Sequence, residues 1–137
     1  MAVVSPAVLG RWAPVAVYMA AIFYVSSLPE VPVAIGSADK TVHGLAYLGL
    51  AVLTCRALSG GCGRRVSPRA AVMAILITAG YGATDEFHQT FVPGRSAEWN
   101  DLAADAIGAC AGTVVSWAWG IIASTSRPAR GASRDEL

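Results

Sequence analysis

The sequence predicts an all-α integral membrane protein: an antiparallel bundle of four transmembrane helices with both termini in the cytoplasm. Three observations lead there. Apolar residues make up 55% of the 137-residue chain and charged residues only 14%, against about 25% charged in an ordinary soluble domain. A small soluble domain keeps much of its surface in water, and this chain lacks the charge to cover one. Four apolar stretches are present, each of at least about 17 residues, the lower limit for crossing a hydrocarbon core roughly 30 Å thick. Basic residues, finally, segregate to one side of the implied topology.

The helices follow in order. The first runs from Trp12 to Leu28 and stops at Pro29 and Pro32. It is too long for the apolar core of a cleaved signal peptide, and no small-x-small cleavage site follows it promptly. The second runs from Thr41 to Leu58 and ends in Ser59-Gly60-Gly61-Cys62-Gly63. The third runs from Ala70 to Phe91, preceded by Pro68 and followed by Pro93-Gly94; the fourth runs from Asn100 to Ala123. Proline and glycine at these joints are helix punctuation. Residues 1–124 are expected to form one transmembrane domain, and 125–137, rich in Ser, Arg and Gly, a disordered cytoplasmic tail.

Orientation comes from the basic residues. Arg11, Arg56, Arg64, Arg65, Arg69, Arg127, Arg130 and Arg134 fall on one side, Lys40 and Arg95 on the other. The positive-inside rule places the arginine-rich side in the cytoplasm. The net charge of +1 and the lack of a basic stripe exclude nucleic acid as a partner. The three cysteines match no zinc or redox spacing; Cys55 and Cys110, in apolar stretches, read as small buried hydrophobes.

Polar residues converge on the opposite, outer side. The first helix ends with Ser26, Ser27 and then Glu30, and the second begins with Asp39, Lys40 and His43. The third ends with Asp85, Glu86, His88 and Gln89, and the fourth begins with Asn100, Asp101 and Asp105. Lys40, His43 and Tyr47 share a helix face, as do Asp85, His88 and Gln89, and as do Asp101, Asp105, Gly108 and Gly112. At 1.5 Å per residue, His43 and Asp105 lie about 5 Å below their helix starts, in the outer leaflet. Ionisable groups inside spans are costly and face the bundle interior or a water-filled cavity, where they find partners. Lys40 and Arg95, the fixed cations of this face, are expected to pair with its acids.

Acid–base chemistry needs a histidine or carboxylate beside a reacting group. The candidates are His43, Asp85, Glu86, His88 and Asp101, with Ser27, Asp39, Lys40, Tyr47, Gln89, Arg95 and Asp105 as ligand-binding residues. Ser26 and Ser27 offer hydroxyls, but nothing in the sequence marks either as activated. Two histidines and several acids are metal-ligand types without metal-ligand spacing, so no metal is expected and no cofactor is identified. Each residue also has a plainer reading, as polar glue that locks helix ends. Gly108-x-x-x-Gly112 signals close helix packing, and Trp99, Trp117 and Trp119 read as membrane-interface anchors.

Taken in order, these motifs resemble the VanZ-like family of bacterial membrane proteins. The matching pieces are Ser26-Ser27 with Pro29; Asp39-Lys40-x-x-His43 with Tyr47; Tyr81-Gly82-x-x-Asp85-Glu86-x-His88-Gln89; Pro93-Gly94-Arg95; and Asp101 followed by Gly108 and Gly112. They span residues 12 to about 120. The Asp-Glu-x-His-Gln block followed by Pro-Gly-Arg is the most specific of them. Where the family often carries Asn four residues after the Asp that opens the last helix, this chain has Asp105. The resemblance implies a multi-pass protein of the bacterial cell membrane. The family's founding member is associated with low-level teicoplanin resistance, and the resemblance supplies no mechanism.

Two functions of different class follow. The first is an envelope protein whose outer-leaflet polar pocket binds a lipid-linked or amphiphilic ligand, with hydrolysis or transfer on that ligand left open. The second is a non-catalytic structural or regulatory membrane subunit whose polar cluster only locks the helices. Proton-coupled transport is disfavoured, because no inverted repeat or mid-helix chain of acids crosses the bilayer. Besides the bilayer and that ligand no partner is implied, and oligomeric state stays open.

Overall fold

The computed structural model describes residues 5–29 and 38–126; Glu30, the side chain of Asp39 and the expected tail beyond Ser126 lie outside the described residues. Four helices account for the described chain: α1 (Pro6–Ser26), α2 (Ala38–Leu58), α3 (Pro68–Gln89) and α4 (Trp99–Thr125). All four start earlier than hydropathy predicts, and for α1 and α3 the reason is the same. Ser5 and Ser67 cap α1 and α3, accepting hydrogen bonds from the backbone N–H of Val8 at 3.4 Å and Ala70 at 3.2 Å. Pro6 and Pro68 follow in the first helical turn, where a missing N–H costs nothing and the fixed φ already suits the helix. Pro68 is thus the start of a helix rather than a break before one. Pro14 lies inside α1, as membrane helices tolerate.

Contacts between helix ends set the topology. Gly108 and Gly112 of α4 lie against Gly44 and Leu48 of α2 in the same order, so α2 and α4 run parallel. Arg56, late in α2, donates through Nη1 to the carbonyl of Arg11, early in α1, at 3.4 Å. Ser26, ending α1, meets Asp85, near the end of α3. The chain therefore runs up, down, up, down, as short connections favour. α2 is the central helix and touches all three others, whereas α1 packs on α2, barely on α3 and not on α4. Only Val15 and Ser26 of α1 are buried.

The bundle exposes large apolar side chains and buries polar ones beside its apolar core. Val17, Leu45, Leu76, Ile107 and Val114 are exposed, while Thr54, Thr78, Asp85, Glu86, Asp101, Asp105 and Thr113 are buried. Such a surface suits lipid, and ionisable groups in spans face the bundle interior. α1, the stretch Lys40–Leu58 and α4 are each long and apolar enough to cross a membrane. α3 matches them with 22 residues. It is less apolar because its last turns carry Asp85, Glu86, His88 and Gln89, and three of these are buried against the other helices. Its membrane compatibility is a property of the bundle, not of the helix alone. Cys55 is buried as expected, but Cys110 is exposed. An apolar neighbourhood in a membrane helix does not tell the lipid side from the core side.

Close approach of α2 and α4 depends on two missing side chains. A Cβ on Gly108 would collide with the carbonyl of Gly44, and one on Gly112 with the carbonyl of Leu48 and, at 2.9 Å, with Ala51. A Cβ on Gly80 meets nothing within 4 Å. Gly108→Ala and Gly112→Ala are therefore expected to destabilise the detergent-purified protein by about 1–3 kcal/mol each, while Gly80→Ala stabilises by ~0.5–1 kcal/mol. Thermal melting of the three variants checks this; G112A as stable as G80A would mean that the two backbones do not touch.

Candidate functional site

At one end of the bundle the C-terminal turns of α1 and α3 meet the N-terminal turns of α2 and α4. The innermost group joins three helices. His43 of α2 faces Asp105 of α4, Nδ1 to Oδ1 at 3.2 Å, and Asp105 is 0% exposed. With its proton on Nδ1 the imidazole donates to the carboxylate. Glu86 of α3 lies close enough that one ligand atom from each of His43, Glu86 and Asp105 falls within 4.8 Å of the others. Gly82, one turn before Glu86, makes room for this: a Cβ there would stand 2.8 Å from Asp105 Oδ2 and 3.2 Å from the Tyr47 ring. Tyr47 is buried, stacks on His43 at 6.5 Å and lies 6.3 Å from the Tyr81 ring.

A second layer holds Asp85. Ser26 donates to its Oδ1 at 2.6 Å, and Gln89 Nε2 lies 3.4 Å from its Oδ2. Gln89 also lies 3.4 Å from Glu86 Oε1, and the backbone N–H of Glu98 donates to Glu86 Oε2 at 2.9 Å. Glu98 is the N-cap residue of α4, so this bond ties the start of α4 to α3. Asp101, in the first turn of α4, is buried.

The rim is built differently. Ser27 donates to the Phe23 carbonyl at 2.6 Å and lies 2.9 Å from His88 Nε2. With the hydroxyl proton held by Phe23, His88 donates to the serine oxygen, the reverse of a base that activates a nucleophile. His88 also stacks on Phe23 at 4.2 Å. Among the described residues no carboxylate bonds its other ring nitrogen. Pro93-Gly94 explains where Arg95 goes. The backbone N–H of Arg95 donates to the Val92 carbonyl at 3.1 Å, and Gly94 has φ 81°. Proline second and a positive-φ glycine third make the type II turn, and only glycine adopts that φ freely. The turn aims Arg95 at the end of α1, where Nε donates to the Leu28 carbonyl at 3.2 Å.

Most of the residues expected from the sequence therefore come together: His43, Tyr47, Asp85, Glu86, Gln89, Asp101 and Asp105 inside, Ser27, His88 and Arg95 at the rim. Among the described residues no salt bridge of Lys40 or Arg95 to the acids of this face is seen, and Glu30 and the side chain of Asp39 lie outside those residues. Among the described residues the ion pair is His43–Asp105. Lys40 is exposed at the start of α2, and Arg95 bonds a backbone carbonyl instead of an acid. The backbone of Asp39 lies in the first turn of α2; its side chain is not among the described residues. Ser26 and Gly82 matter more than the sequence indicated. Both occur in the recognised motifs, but only the helical phase shows that Ser26, not Ser27, faces Asp85.

The polar cluster ends an apolar groove between α1 and α2 of about 300 Å³. Its walls are Tyr18, Ala21, Ile22, Val25, Val42 and Ala46, and its polar end is Ser26, His43, Tyr47, Asp85 and Arg95. A smaller cavity of about 190 Å³ lies at the opposite end of the bundle beside Arg56, Arg64 and Cys62, with no acid in its lining.

A sequence model of the VanZ/LLP1 family matches residues 16–122, which takes in the groove and every residue of the cluster. No curated protein and no solved structure matches the chain.

Removing the Ser26 hydroxyl leaves a buried carboxylate oxygen without its short donor, a change that costs ~1–3 kcal/mol. Ser26→Ala is expected to lower the stability of the purified protein by that amount. Ser27→Ala, on the half-exposed rim, is expected to change it by less than ~0.5 kcal/mol. Chemical denaturation of both variants in detergent is the check, and equal losses would contradict the inward placement of Ser26.

Proposed function

The chain belongs to the VanZ/LLP1 family, and on that premise we propose that it is a multi-pass protein of the bacterial cell membrane that binds an amphiphilic or lipid-linked envelope ligand. The ligand places its head at the polar cluster in the outer leaflet and its apolar part between α1 and α2. One observation carries this reading: one cavity is lined by apolar side chains of α1 and α2 and by the outer part of the polar cluster, Ser26, His43, Tyr47, Asp85 and Arg95. Binding sites of this size are commonly apolar with a few fixed polar groups that orient the ligand. Arg95 suits an anionic head. A guanidinium carries five donors, and among the described residues Arg95 uses Nε, on Leu28. The arrangement of Ser27 and His88 supports binding over hydroxyl-based hydrolysis. Low-level teicoplanin resistance, which the family resemblance brings, fits a ligand drawn from the outer leaflet.

A second reading has its own support. Ser26–Asp85, His43–Asp105 and the Glu98 N–H to Glu86 bond each join different helices, as a purely structural lock would. The two readings separate when binding and stability are measured on the same variants. Binding of a fluorescent single-chain phosphate amphiphile to the purified protein is expected to weaken at least tenfold, about 1.4 kcal/mol, in Ala46→Phe and in Arg95→Ala. Leu76→Ala, on the exposed face of α3, is expected to bind within about twofold of the parent. Equal affinities in all four proteins would leave the structural lock as the better account.

A further inference from the structure

We propose that His43, Glu86 and Asp105 form a binding site for one divalent transition cation of the zinc class, inside the polar end of the bundle. One ligand atom of each lies within 4.8 Å of the other two. The three residues come from α2, α3 and α4, so no local sequence spacing could have announced them.

The spacing is close to what a metal needs. Zinc bonds nitrogen and oxygen ligands at about 2.0–2.1 Å in a tetrahedron, which sets neighbouring ligand atoms about 3.3 Å apart. His43 Nδ1 and Asp105 Oδ1 are 3.2 Å apart. Glu86 would close by no more than about 1.5 Å to complete the set at that tetrahedral spacing. Its carboxylate is already oriented from behind, by Gln89 Nε2 at 3.4 Å on Oε1 and by the Glu98 N–H at 2.9 Å on Oε2. Such outer partners commonly fix the ligands of metal sites.

A second observation is independent of the clustering. Asp105 is 0% exposed, and its Oδ2 has no hydrogen-bond partner among the described residues. A buried carboxylate oxygen in that condition is expensive. It lies beside Gly82, where a Cβ would be 2.8 Å away, and Glu86 stands one turn along the same face of α3. The oxygen is therefore aimed at the helix face that supplies the third ligand.

Charge balance points the same way. Asp85, Glu86 and Asp105 are each 5% exposed or less. Among the described residues neither Lys40 nor Arg95 forms an ion pair with these three. A dication offsets the negative excess more completely than one imidazolium does. One imidazole and two carboxylates, with no thiolate, suit zinc, iron(II) or manganese(II) and not copper(I).

The test uses the full chain in detergent, stripped with EDTA and titrated with zinc chloride, with bound metal measured by mass spectrometry and stability by thermal melting. About one zinc per chain and a raised melting temperature are expected. His43→Gln and Asp105→Asn should weaken zinc binding at least tenfold, while His88→Ala, on the rim, should keep it. Glu86→Gln replaces Asp105→Asn if the latter does not fold. Absence of stoichiometric zinc from the parent protein, or zinc binding by H43Q and E86Q as tight as the parent's, would overturn the assignment, as would a preference for magnesium over zinc. The amphiphile reading fails separately, because zinc is titrated here without any amphiphile and that binding experiment contains no metal.

Discussion

The backbone contact between α2 and α4 governs the rest of the structure. Lipid tails are as apolar as leucine, so membrane helices associate through packing and interhelical hydrogen bonds rather than through the hydrophobic effect. Gly108 and Gly112 let the two backbones touch at Gly44 and Leu48. Asp105 stands one turn before Gly108, and His43 immediately precedes Gly44. Once the glycines are in register, the two first turns lie at one level, and the 3.2 Å contact between His43 and Asp105 follows. Any side chain that pushed the helices apart would break that contact before it disturbed the lipid-facing surface.

Polar burial then does two jobs at once. Each acid at this end adds a desolvation cost, and bonds that cross between helices offset it: Ser26 of α1 to Asp85 of α3, His43 of α2 to Asp105 of α4, and the α4 N-cap to Glu86 of α3. In the innermost group, Asp105 Oδ2 has no hydrogen-bond partner among the described residues, so these bonds leave some of its acceptor capacity unused. The layers differ for that reason. Ser26, Asp85 and Gln89 bond one another, whereas Asp105 keeps one buried oxygen without a hydrogen bond among the described residues.

Much of this was legible in the sequence, and the remainder was hidden for physical reasons. Hydropathy gave four helices, because a span needs a long apolar run and nothing else in the chain resembles one. The polar convergence followed from topology alone, since alternating helices bring the last turns of α1 and α3 beside the first turns of α2 and α4. The starts of α1 and α3 were missed because Ser5-Pro6 and Ser67-Pro68 act through capping, which leaves no hydropathy signal. The bond of Arg95 to the Leu28 carbonyl was not legible because the turn at Pro93-Gly94 decides where that side chain starts. Ser26 and Ser27 differ by 100° of helical rotation, and a sequence does not print that phase until the neighbours of α1 are known. The expected burial of Cys110 failed on the same ambiguity.

α1 ties the proposed binding to stability. It buries only Val15 and Ser26, and the groove opens along its boundary with α2. What holds α1 to α3 is a short set of polar contacts: Ser26 to Asp85, Ser27 with His88, and the Tyr81 hydroxyl to the Met19 carbonyl at 2.6 Å. Ser26 and Asp85 also line the polar end of the groove. A head group that engages either of them competes with the bonds that anchor α1, and the same head group can replace those bonds from within the groove. Locking the helices and receiving a ligand are then alternative uses of the same donors and acceptors, so loss of stability in a Ser26 or Asp85 variant does not by itself argue against a binding role. Arg95 reaches α1 only past its last turn, through Nε on the Leu28 carbonyl, and Ala46 makes no polar bond to α1, so at these two positions the two roles are most nearly separable.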